Sequence, residues 1–504
     1  MKGSYLKNIL TAFIFSFLFF NELVNAQTIT WSQPLTDEKK MQYMKIIGTD
    51  DDGFYILRSN FSFEYEKDHS GFRSRKYALG YVDFDMHQKW NQQLTASLPD
   101  ARITSVLSFN NRILVISSIT EKQTKSYRIY AQYMNSKGAY EGQAMLVDSL
   151  VGEKINDDNK PDVVVSGNQS KLACAFRKVS VDNKDEQSYH TIVVDTALNI
   201  LYKKEIQIPV NAKFFTPVNF TLSDRGNFYL LGIYYATEKK VKAPNESYYR
   251  LYSYDSSLDR VTSNEIKIED KFLTDVGISA DNLNRKIVVA GFYSDKTTYS
   301  TAGIFYFSMN EDATSQTVRK SSAFSPEFLS KFLGERKENN NKELVNYSID
   351  RLILRKDGGA AVLAESYIES TSSYWDYYMQ TYVSRHYYHF GNIIVLSVNP
   401  DGSILWGNSI TKDQNSTDDA GYLSSYCAAI TGGKIYSIYN KYIEEESSVL
   451  MTTVDAIGKQ KTDVLFNELK NVSIVPRSAK QIDSETLLLP AYRENKFYIL
   501  KVEF

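Results

Sequence analysis

The chain has 504 residues and a formal net charge of −2, with 60 acidic and 58 basic residues. This balance gives no electrostatic reason to expect a nucleic acid or an acidic membrane surface as a partner. The 37 Tyr and 27 Phe residues far outnumber the 10 Pro residues, and aromatic enrichment of this kind favours β-strands.

The first 26 residues have the features of a secretory signal peptide. Lys2 and Lys7 give a basic start, Ile9–Phe20 is a mostly apolar run too short to span a bilayer, and Val24–Ala26 offers small residues for cleavage. A membrane anchor is the alternative. We expect residues 27–504 to be exported to the periplasm, the outer surface or the medium, with no integral membrane segment after cleavage.

Downstream, one hairpin pattern recurs eight times: an apolar run, a tight polar turn and a second apolar run. A second hairpin follows in each of the first seven units, so the repeating unit is predicted to be a four-stranded antiparallel meander. The successive turns are separated by 57 to 59 residues in the first four steps and by 73, 75 and 51 residues in the last three. The turns are anchored at Asp52, Asn111, Asn168, Arg225, Asn284, Asp357, Gly432 and Asp483.

Repeated four-stranded units of this length are typical of β-propellers. We predict an all-β fold in which residues 27–504 form a single eight-bladed β-propeller with insertions at 325–346 and 367–392. A different division of the inserted region would give seven blades. The last unit has only three strands before the chain stops at Phe504. We therefore expect Ile29–Leu35 to pair beside Phe497–Phe504 and to close the last blade.

Three of the four Trp residues stand four positions before an apolar residue. The pairs are Trp31 with Leu35, Trp90 with Leu94, and Trp406 with Ile410. Because large aromatic side chains dominate cores, we predict that these Trp residues pack between neighbouring blades.

The segment NPDGSILWGNSI, Asn399–Ile410, resembles the repeat of secreted bacterial β-propeller proteins, in which a strand, an Asp-Gly turn and a Trp strand recur. It is also similar to the tryptophan-docked repeats of pyrroloquinoline-quinone dehydrogenases, which are eight-bladed. The match covers about twelve residues and, more loosely, Asp85–Leu94. The Tyr-, Asn- and Lys-rich composition resembles that of exported Bacteroidota-type proteins. The resemblance implies a fold and no activity, since propellers host many unrelated functions.

The two cysteines, Cys174 and Cys427, lie in strand-like runs of distant units. An oxidising compartment would permit a disulfide, but this separation predicts two buried free thiols.

The long excursions fall in the links between second and third strands and in the links between units. They are Asn60–Lys76, Asp148–Asp162, Ser325–Asn346 and Tyr367–Asn392. The turns within hairpins, which lie at the other end of each blade, are all short. We call these two ends the long-loop face and the short-turn face. Because binding residues concentrate on loops held by a rigid scaffold, we predict that the long-loop face is functional.

The last excursion is rich in aromatic residues, which offer rigid contact area to a glycan or a protein. The alternative is that they pack on their own hairpin and cover the central channel. The candidate binding residues are Tyr374, Trp375, Tyr377, Tyr378, Tyr382, Arg385, Tyr387 and Tyr388.

Ser325, Pro326 and the apolar residues after them predict a short helix. We expect it either to fill a gap between blades five and six or to bind a partner. Its apolar residues are Phe328, Leu329, Phe332 and Leu333.

Neither metal binding nor catalysis has a clear sequence signature. His386 and His389 are three residues apart, but a zinc site needs a third ligand and no HExxH motif is present. The Asp-rich runs Asp50–Gly53 and Asn156–Asp162 lack the spacing of a calcium loop. No GxSxG, P-loop or GxGxxG motif occurs. We predict no metal and no cofactor, and we name no catalytic residue.

The sequence therefore favours an exported, non-enzymatic binding or scaffold propeller that recognises a protein or a glycan through its long-loop face. The first alternative is a carbohydrate-active or quinone-dependent enzyme with its site at the central channel. The second is a purely structural component of the outer surface.

Overall fold

The computed structural model describes residues 27–35, 41, 43–60, 76–121, 123–124, 126–151, 161–179, 187–239, 246–296, 300–332, 343–443, 448–466, 472–494 and 496–504. The predicted signal peptide and most of the excursions Asn60–Lys76 and Asp148–Asp162 lie outside these ranges. Within them, no helix is long and apolar enough to cross a membrane.

The described residues form eight antiparallel sheets of four or five strands, which we number 1 to 8 along the chain. Strand β1, Thr28–Trp31, belongs to sheet 8. Sheet 1 holds β2–β5: Tyr43–Thr49, Gly53–Ser59, Tyr77–Asp83 and Gln88–Leu94. Sheet 2 holds β6–β9: Arg102–Phe109, Arg112–Glu121, Ser126–Met134 and Met145–Val151. Sheet 3 holds β10–β13: Asp162–Val165, Lys171–Val179, Gln187–Asp195 and Ile200–Ile208. Sheet 4 holds β14–β17: Phe215–Leu222, Phe228–Tyr235, Ser247–Asp255 and Arg260–Ile266.

Strand β20, Ser300–Thr301, and β23, Leu344–Val345, form a separate two-stranded ribbon. Sheet 5 holds β18, β19, β21 and β22: Phe272–Asp281, Lys286–Ser294, Gly303–Asn310 and Gln316–Ala323. Sheet 6 holds β24–β28: Tyr347–Leu354, Ala360–Asp376, Thr381–Val398, Ile404–Ile410 and Gln414–Thr417. Sheet 7 holds β29–β32: Cys427–Thr431, Lys434–Asn440, Val449–Val454 and Gln460–Phe466. Sheet 8 adds β33–β36: Val472–Ile474, Lys480–Gln481, Thr486–Arg493 and Lys496–Glu503. Helix α1 is Pro326–Ser330, and single 3₁₀ turns occupy Ala212–Phe214 and Pro476–Ser478.

The hairpin turns follow from their residues. In sheet 2, Phe109 pairs with Arg112, so the loop is only Asn110 and Asn111, both with positive φ of 52° and 55°. Two-residue loops need this conformation to match the strand twist, and Asn tolerates it well. The sheets are accordingly meanders, as predicted from the repeated hairpins.

Each sheet packs face to face on the next through its own apolar cluster. Tyr55 and Leu79 of sheet 1, for example, share a cluster with Val115 of sheet 2. Eight such clusters occur among the described residues, one for each consecutive pair of sheets and one that joins sheet 8 to sheet 1. Sheets stacked in a closed series around an axis form a β-propeller.

The first strands of the sheets line the axis. β2 contacts β6, β14 contacts β10 and β18, and β18 contacts β24. The first strand of each sheet is therefore the inner strand, and the fourth strand is the outer one.

The N-terminal strand closes sheet 8, as predicted. β1 pairs antiparallel with β36, with Thr30 opposite Lys501. Beyond the strand, the Leu35 amide donates a hydrogen bond to the Phe497 carbonyl at 2.9 Å. Joining the chain ends in one sheet covers the last open edge.

The Trp residues of the outer strands pack on the neighbouring sheet, which confirms that prediction. Trp90 Nε1 donates to the Ser136 carbonyl at 2.7 Å, and Trp406 Nε1 donates to the Ala456 carbonyl at 3.0 Å. Both acceptors lie in the last hairpin turn of the next sheet. A Cβ at Gly458 would lie 2.9 Å from the Trp406 ring, so the glycine lets the indole sit on the backbone. Trp31 packs edge-on against Phe466 of sheet 7, with ring centroids 5.9 Å apart.

Two smaller predictions also hold. Cys174 and Cys427 are buried free thiols. Ser325 caps α1 by accepting a hydrogen bond from the Phe328 amide, and Phe328 and Phe332 pack in the cluster between sheets 5 and 6. The helix thus fills the gap between these sheets. Leu333 lies outside the described residues.

Candidate functional site

Strands β25 and β26 continue well beyond sheet 6 as a two-stranded hairpin, which we call the arm (Tyr367–Phe390). Its register runs from Tyr367 opposite Phe390 to Asp376 opposite Thr381. A register shift between Glu365 and Tyr367 marks the point where the arm leaves the sheet. The arm connects the second and third strands and therefore stands on the long-loop face. Most of the predicted insertion at 367–392 is thus regular paired strand.

The tip of the arm is a turn that its own Asp376 holds in place. Asp376 Oδ1 accepts hydrogen bonds from the amides of Tyr378 and Met379 at 2.8 and 2.9 Å. Short Asp side chains stabilise turns in this way. Tyr377 is 84% exposed, Tyr378 is fully exposed and Met379 is 70% exposed. The tip therefore presents large apolar side chains to solvent on a defined backbone.

Below the tip, the aromatic residues lie on both faces of the hairpin. Directly opposed residues share a face, and successive residues along a strand alternate between the two faces. Trp375 and Tyr382 lie opposite each other and pack edge to face, with ring centroids 5.2 Å apart. On the other face, the Arg385 guanidinium lies 6.0 Å from the Tyr374 ring centroid. Tyr387 is exposed on that face too.

The eight candidate binding residues thus do not form one continuous surface. Tyr377 and Tyr378 are at the tip, while Trp375 and Tyr382 face one way and Tyr374, Arg385 and Tyr387 the other. Tyr388 is only 6% exposed. Because its side chain is buried, Tyr388 offers no contact surface. Strand β28 pairs with the edge of β26 from Tyr387 to Phe390 in this part of the arm.

The two histidines of the arm point in opposite directions, because residues three apart in a strand lie on opposite faces. His386 Nδ1 lies 3.1 Å from Thr371 Oγ1, and His389 Nε2 lies 3.1 Å from Asp413. In the part of the chain that the structure describes, no group of three His, Cys, Asp or Glu residues could hold a metal ion.

A buried ion pair anchors the root of the arm. Lys412 Nζ lies 2.7 Å from Glu365 Oε1, and these side chains are 0% and 4% exposed. Lys412 also donates to the Phe390 carbonyl and to Gln414 Oε1, both at 3.0 Å. The ammonium thus has two hydrogen-bond acceptors and lies in an ion pair with the Glu365 carboxylate. Burial lowers the pKa of Lys412, and the opposite charge of Glu365 acts against this shift.

The anchor extends to the neighbouring sheets. Ser425 Oγ donates to the second oxygen of Glu365, and Gln414 Nε2 donates to the Asn440 carbonyl of sheet 7 at 2.6 Å. Asn440 in turn exchanges hydrogen bonds with the backbone of Ile474 in sheet 8. The direction of the arm is therefore fixed against three sheets. Sequence reasoning did not identify this network, since its members are far apart along the chain.

An ionisable group in the channel forms a second candidate site. Asp350 is the extra residue of a bulge in β24, between Ile349 and Arg351. It is open to solvent although protein surrounds it, as expected for a side chain in the central channel. Four other inner strands bulge in the same way and carry uncharged residues there, Ile47, Thr104, Val218 and Thr274.

Asp350 also has a perturbed pKa. Tyr426 donates its hydroxyl proton to Asp350 Oδ2 at 2.9 Å. Desolvation by the protein that surrounds it, and then the charge of Glu365, raise the pKa of Asp350 to about 8. An Asp350 that holds its proton near neutral pH can act as an acid, and such groups often mark functional sites. No sequence motif indicated this residue.

The short-turn face has a polar cavity of about 430 Å³ between sheets 4 and 5. Its Arg225 and Arg285 approach Glu311 only to 3.9 and 3.7 Å. Asp255, which also lines it, accepts a hydrogen bond from the Ser257 amide of its own turn, and Asn227 accepts one from the Ser256 amide of the other hairpin. Opposite charges therefore alternate around the cavity, and the arrangement favours no particular ligand.

No protein-family model matches the sequence, and no curated protein does either. Several solved structures resemble it at low identity. Sqt1 from Chaetomium thermophilum, solved with the N-terminus of ribosomal protein L10, has 10% identity and a TM-score of 0.42 over 94% of this chain and 98% of that chain. The β-propeller domain of the Trilobed protease from Pyrococcus furiosus has 12% identity and a TM-score of 0.32 over 81% of this chain and 94% of that chain. Puromycin hydrolase has 9% identity and a TM-score of 0.37 over 92% of this chain and 61% of that chain. Likenesses this distant assign neither an activity nor a partner.

Proposed function

We propose that this protein is an exported, non-enzymatic binding module in which a propeller scaffold holds out the arm, and that a protein partner docks on the tip of the arm. The observation that carries the proposal is the exposed apolar tip formed by Tyr377, Tyr378 and Met379, with the exposed ring of Tyr382 just below it. Export rests on the basic and apolar start of the sequence.

The scaffold in this proposal is one eight-bladed ring made of residues 27–504. Eight sheets and eight shared apolar clusters support that blade count. The pairing of β1 with β36 supports a single closed domain. Such a ring is a rigid base, so the position of the arm depends only on its root.

Exposing large apolar side chains to water at the tip is unfavourable for a protein that has no partner to cover them. Clusters of exposed large apolar side chains on a soluble protein mark interaction sites. Tyr and Trp are enriched among the residues that dominate binding energy, because they bury a large area at a low entropic cost. An isolated two-stranded hairpin is only marginally stable in water, and the buried Lys412–Glu365 anchor is consistent with a need to hold it.

The shape of the tip favours a protein over a glycan. Small-ligand sites are concave and surround their ligand, whereas the tip is a convex projection with side chains on both faces and at the turn. Asp376, its nearest carboxylate, is already used by the turn. A convex aromatic projection fits a pocket in a partner protein.

Site-specific photo-crosslinking tests the proposal. A photoreactive phenylalanine analogue replaces Tyr378 in one variant and Ile457 in a matched control, since Ile457 is 80% exposed but lies in a hairpin turn of the short-turn face. In the producing cells we expect one protein adduct at position 378 and none at 457. Equal adducts at both positions, or none at 378, reject the proposal. An adduct that contains glycan without peptide changes the partner class.

Asp350 supports a second candidate function, a carbohydrate-active enzyme with its site in the channel. A solvent-accessible carboxyl that remains protonated near neutral pH can serve as a general acid. A panel of chromogenic glycosides assayed with the wild type and with Asp350→Asn tests this candidate. Hydrolysis that is lost in a folded Asp350→Asn protein supports it, and absence of turnover by the wild type rejects it.

A further inference from the structure

We propose that Met379 at the tip of the arm is a site of oxidation by peroxides, and that its conversion to the sulfoxide weakens docking of the partner. The second half of this inference rests on the proposed function, whereas the first half is independent of it.

Met379 is by far the most accessible methionine of the described residues, at 70% exposure. Oxidation of a thioether requires contact with the oxidant, so susceptibility follows exposure. Met145 is partly buried. The other described methionines are buried: Met41, Met44, Met86, Met134, Met309 and Met451. Peroxide should therefore modify position 379 well before any of them.

Met379 also belongs to the tip that carries the proposed contact surface. The Met379 amide is bound by Asp376 Oδ1, and the next residue, Gln380, has a positive φ of 47° that reverses the chain. Tyr377 and Tyr378 precede Met379, and Tyr382 follows on β26. Any partner that covers these rings must also cover the Met379 side chain.

The chemistry is a two-electron oxygen transfer. A lone pair of the Met379 sulfur attacks one oxygen of hydrogen peroxide, an S–O bond forms and the O–O bond breaks. The transferred oxygen loses its proton as the sulfur becomes a sulfoxide, and the departing hydroxide takes up that proton, through solvent, and leaves as water. The product is polar and accepts hydrogen bonds. Burying it in a pocket shaped for a thioether leaves that oxygen without a donor, which opposes docking.

Peptide mapping with graded hydrogen peroxide tests the first half. We expect sulfoxide at position 379 at doses that leave Met145 and the buried methionines reduced. Met379→Leu, which keeps the size and apolar character of the side chain, serves as the control for all later steps. Oxidation at Met145 ahead of Met379 overturns the inference.

The yield of the photo-crosslink at position 378 tests the second half. Peroxide treatment should lower the yield about tenfold, equivalent to about 1.4 kcal/mol, and methionine sulfoxide reductase should restore it. In the Met379→Leu background the yield should not change with peroxide. An unchanged yield after complete oxidation of Met379 overturns the inference. If no crosslink forms before oxidation, the proposed function itself fails, while the oxidation map is unaffected.

Discussion

Replacing Lys412 by Met should destabilise the protein strongly, because it leaves Glu365 buried without its counter-ion. The Lys412–Glu365 pair is almost fully excluded from solvent and its charged atoms are 2.7 Å apart. Breaking a buried pair by removing one partner costs about 3 to 5 kcal/mol. We therefore expect the free energy of unfolding in urea to fall by that amount at pH 7.5.

The pH dependence distinguishes this cause from simple loss of packing. In Lys412→Met, protonation of Glu365 relieves the uncompensated charge. The native state then binds a proton that the unfolded state releases, so stability rises as the pH falls. The difference in unfolding free energy between the variant and the wild type should therefore shrink as the pH falls, because the pH dependence that Asp350 contributes is common to both proteins.

Two further proteins complete this experiment. Lys412→Met combined with Glu365→Leu removes both charges and should recover most of the loss, since apolar replacement of a buried pair is often close to neutral. Lys461→Met breaks an exposed pair, Lys461 with Asp463 at 3.0 Å, and should change stability by less than about 0.5 kcal/mol. A loss below about 1 kcal/mol in Lys412→Met, or a loss independent of pH, would refute the reasoning.

Other changes test the ring and the channel. Trp406→Phe removes the hydrogen bond to Ala456 and should lower the free energy of unfolding in urea by about 1 to 2 kcal/mol. Trp375→Phe, at the exposed arm, should leave that free energy nearly unchanged. Equal losses in the two variants would argue against packing of Trp406 on the next sheet. Asp350→Asn should stabilise the protein at pH 8 to 9 and not at pH 4. With a folded pKa of about 8, wild-type stability declines as the pH rises from the ordinary pKa of an aspartate to about 8, because only the unfolded chain releases its proton in that range. The same melting-temperature difference at both pH values would contradict this. Deleting residues 27–35 should lower the melting temperature and cause self-association through the open edge of β36. Light scattering should detect this self-association, and adding the 27–35 peptide should reverse it. A monomeric variant of unchanged stability would exclude closure of sheet 8 by β1.

The repeated sheets were predictable because their signal is local. Each unit repeats an apolar run, a tight turn and a second run, and strands buried on both faces read as continuous apolar segments. β3, Gly53–Ser59, is buried at every position. The closure was predictable because the last unit lacked one strand and the first Trp segment, around Trp31, was left over.

The paired strands of the arm were not predictable from hydrophobic periodicity. Both faces of the arm are exposed, so no alternation of apolar and polar residues is imposed on it. Segments such as Ser370–Ser373 carry only small polar side chains. Tyr388 is buried near the root of the arm. There β28 pairs with β26, and that pairing has no signature in the sequence.

The charged groups were missed for a related reason. Lys412 lies between β27 and β28, and Glu365 lies on β25. They meet because these strands of sheet 6 fold together, and no spacing rule connects them. Asp350 is distinctive only because it occupies a bulge position where the other inner strands carry Ile, Val or Thr. That comparison requires the register of the sheets, which the sequence alone does not supply.

Replacement of Ser370–His386 by a short Gly-Ser turn tests the central claim most directly. The intact and shortened proteins are compared for binding to the partner recovered from the crosslink at position 378, with their melting temperatures measured alongside. We predict at least a hundredfold loss of affinity, equivalent to about 2.7 kcal/mol, with an unchanged melting temperature. Undiminished binding by the folded, shortened protein would contradict the claim that the arm is the docking site.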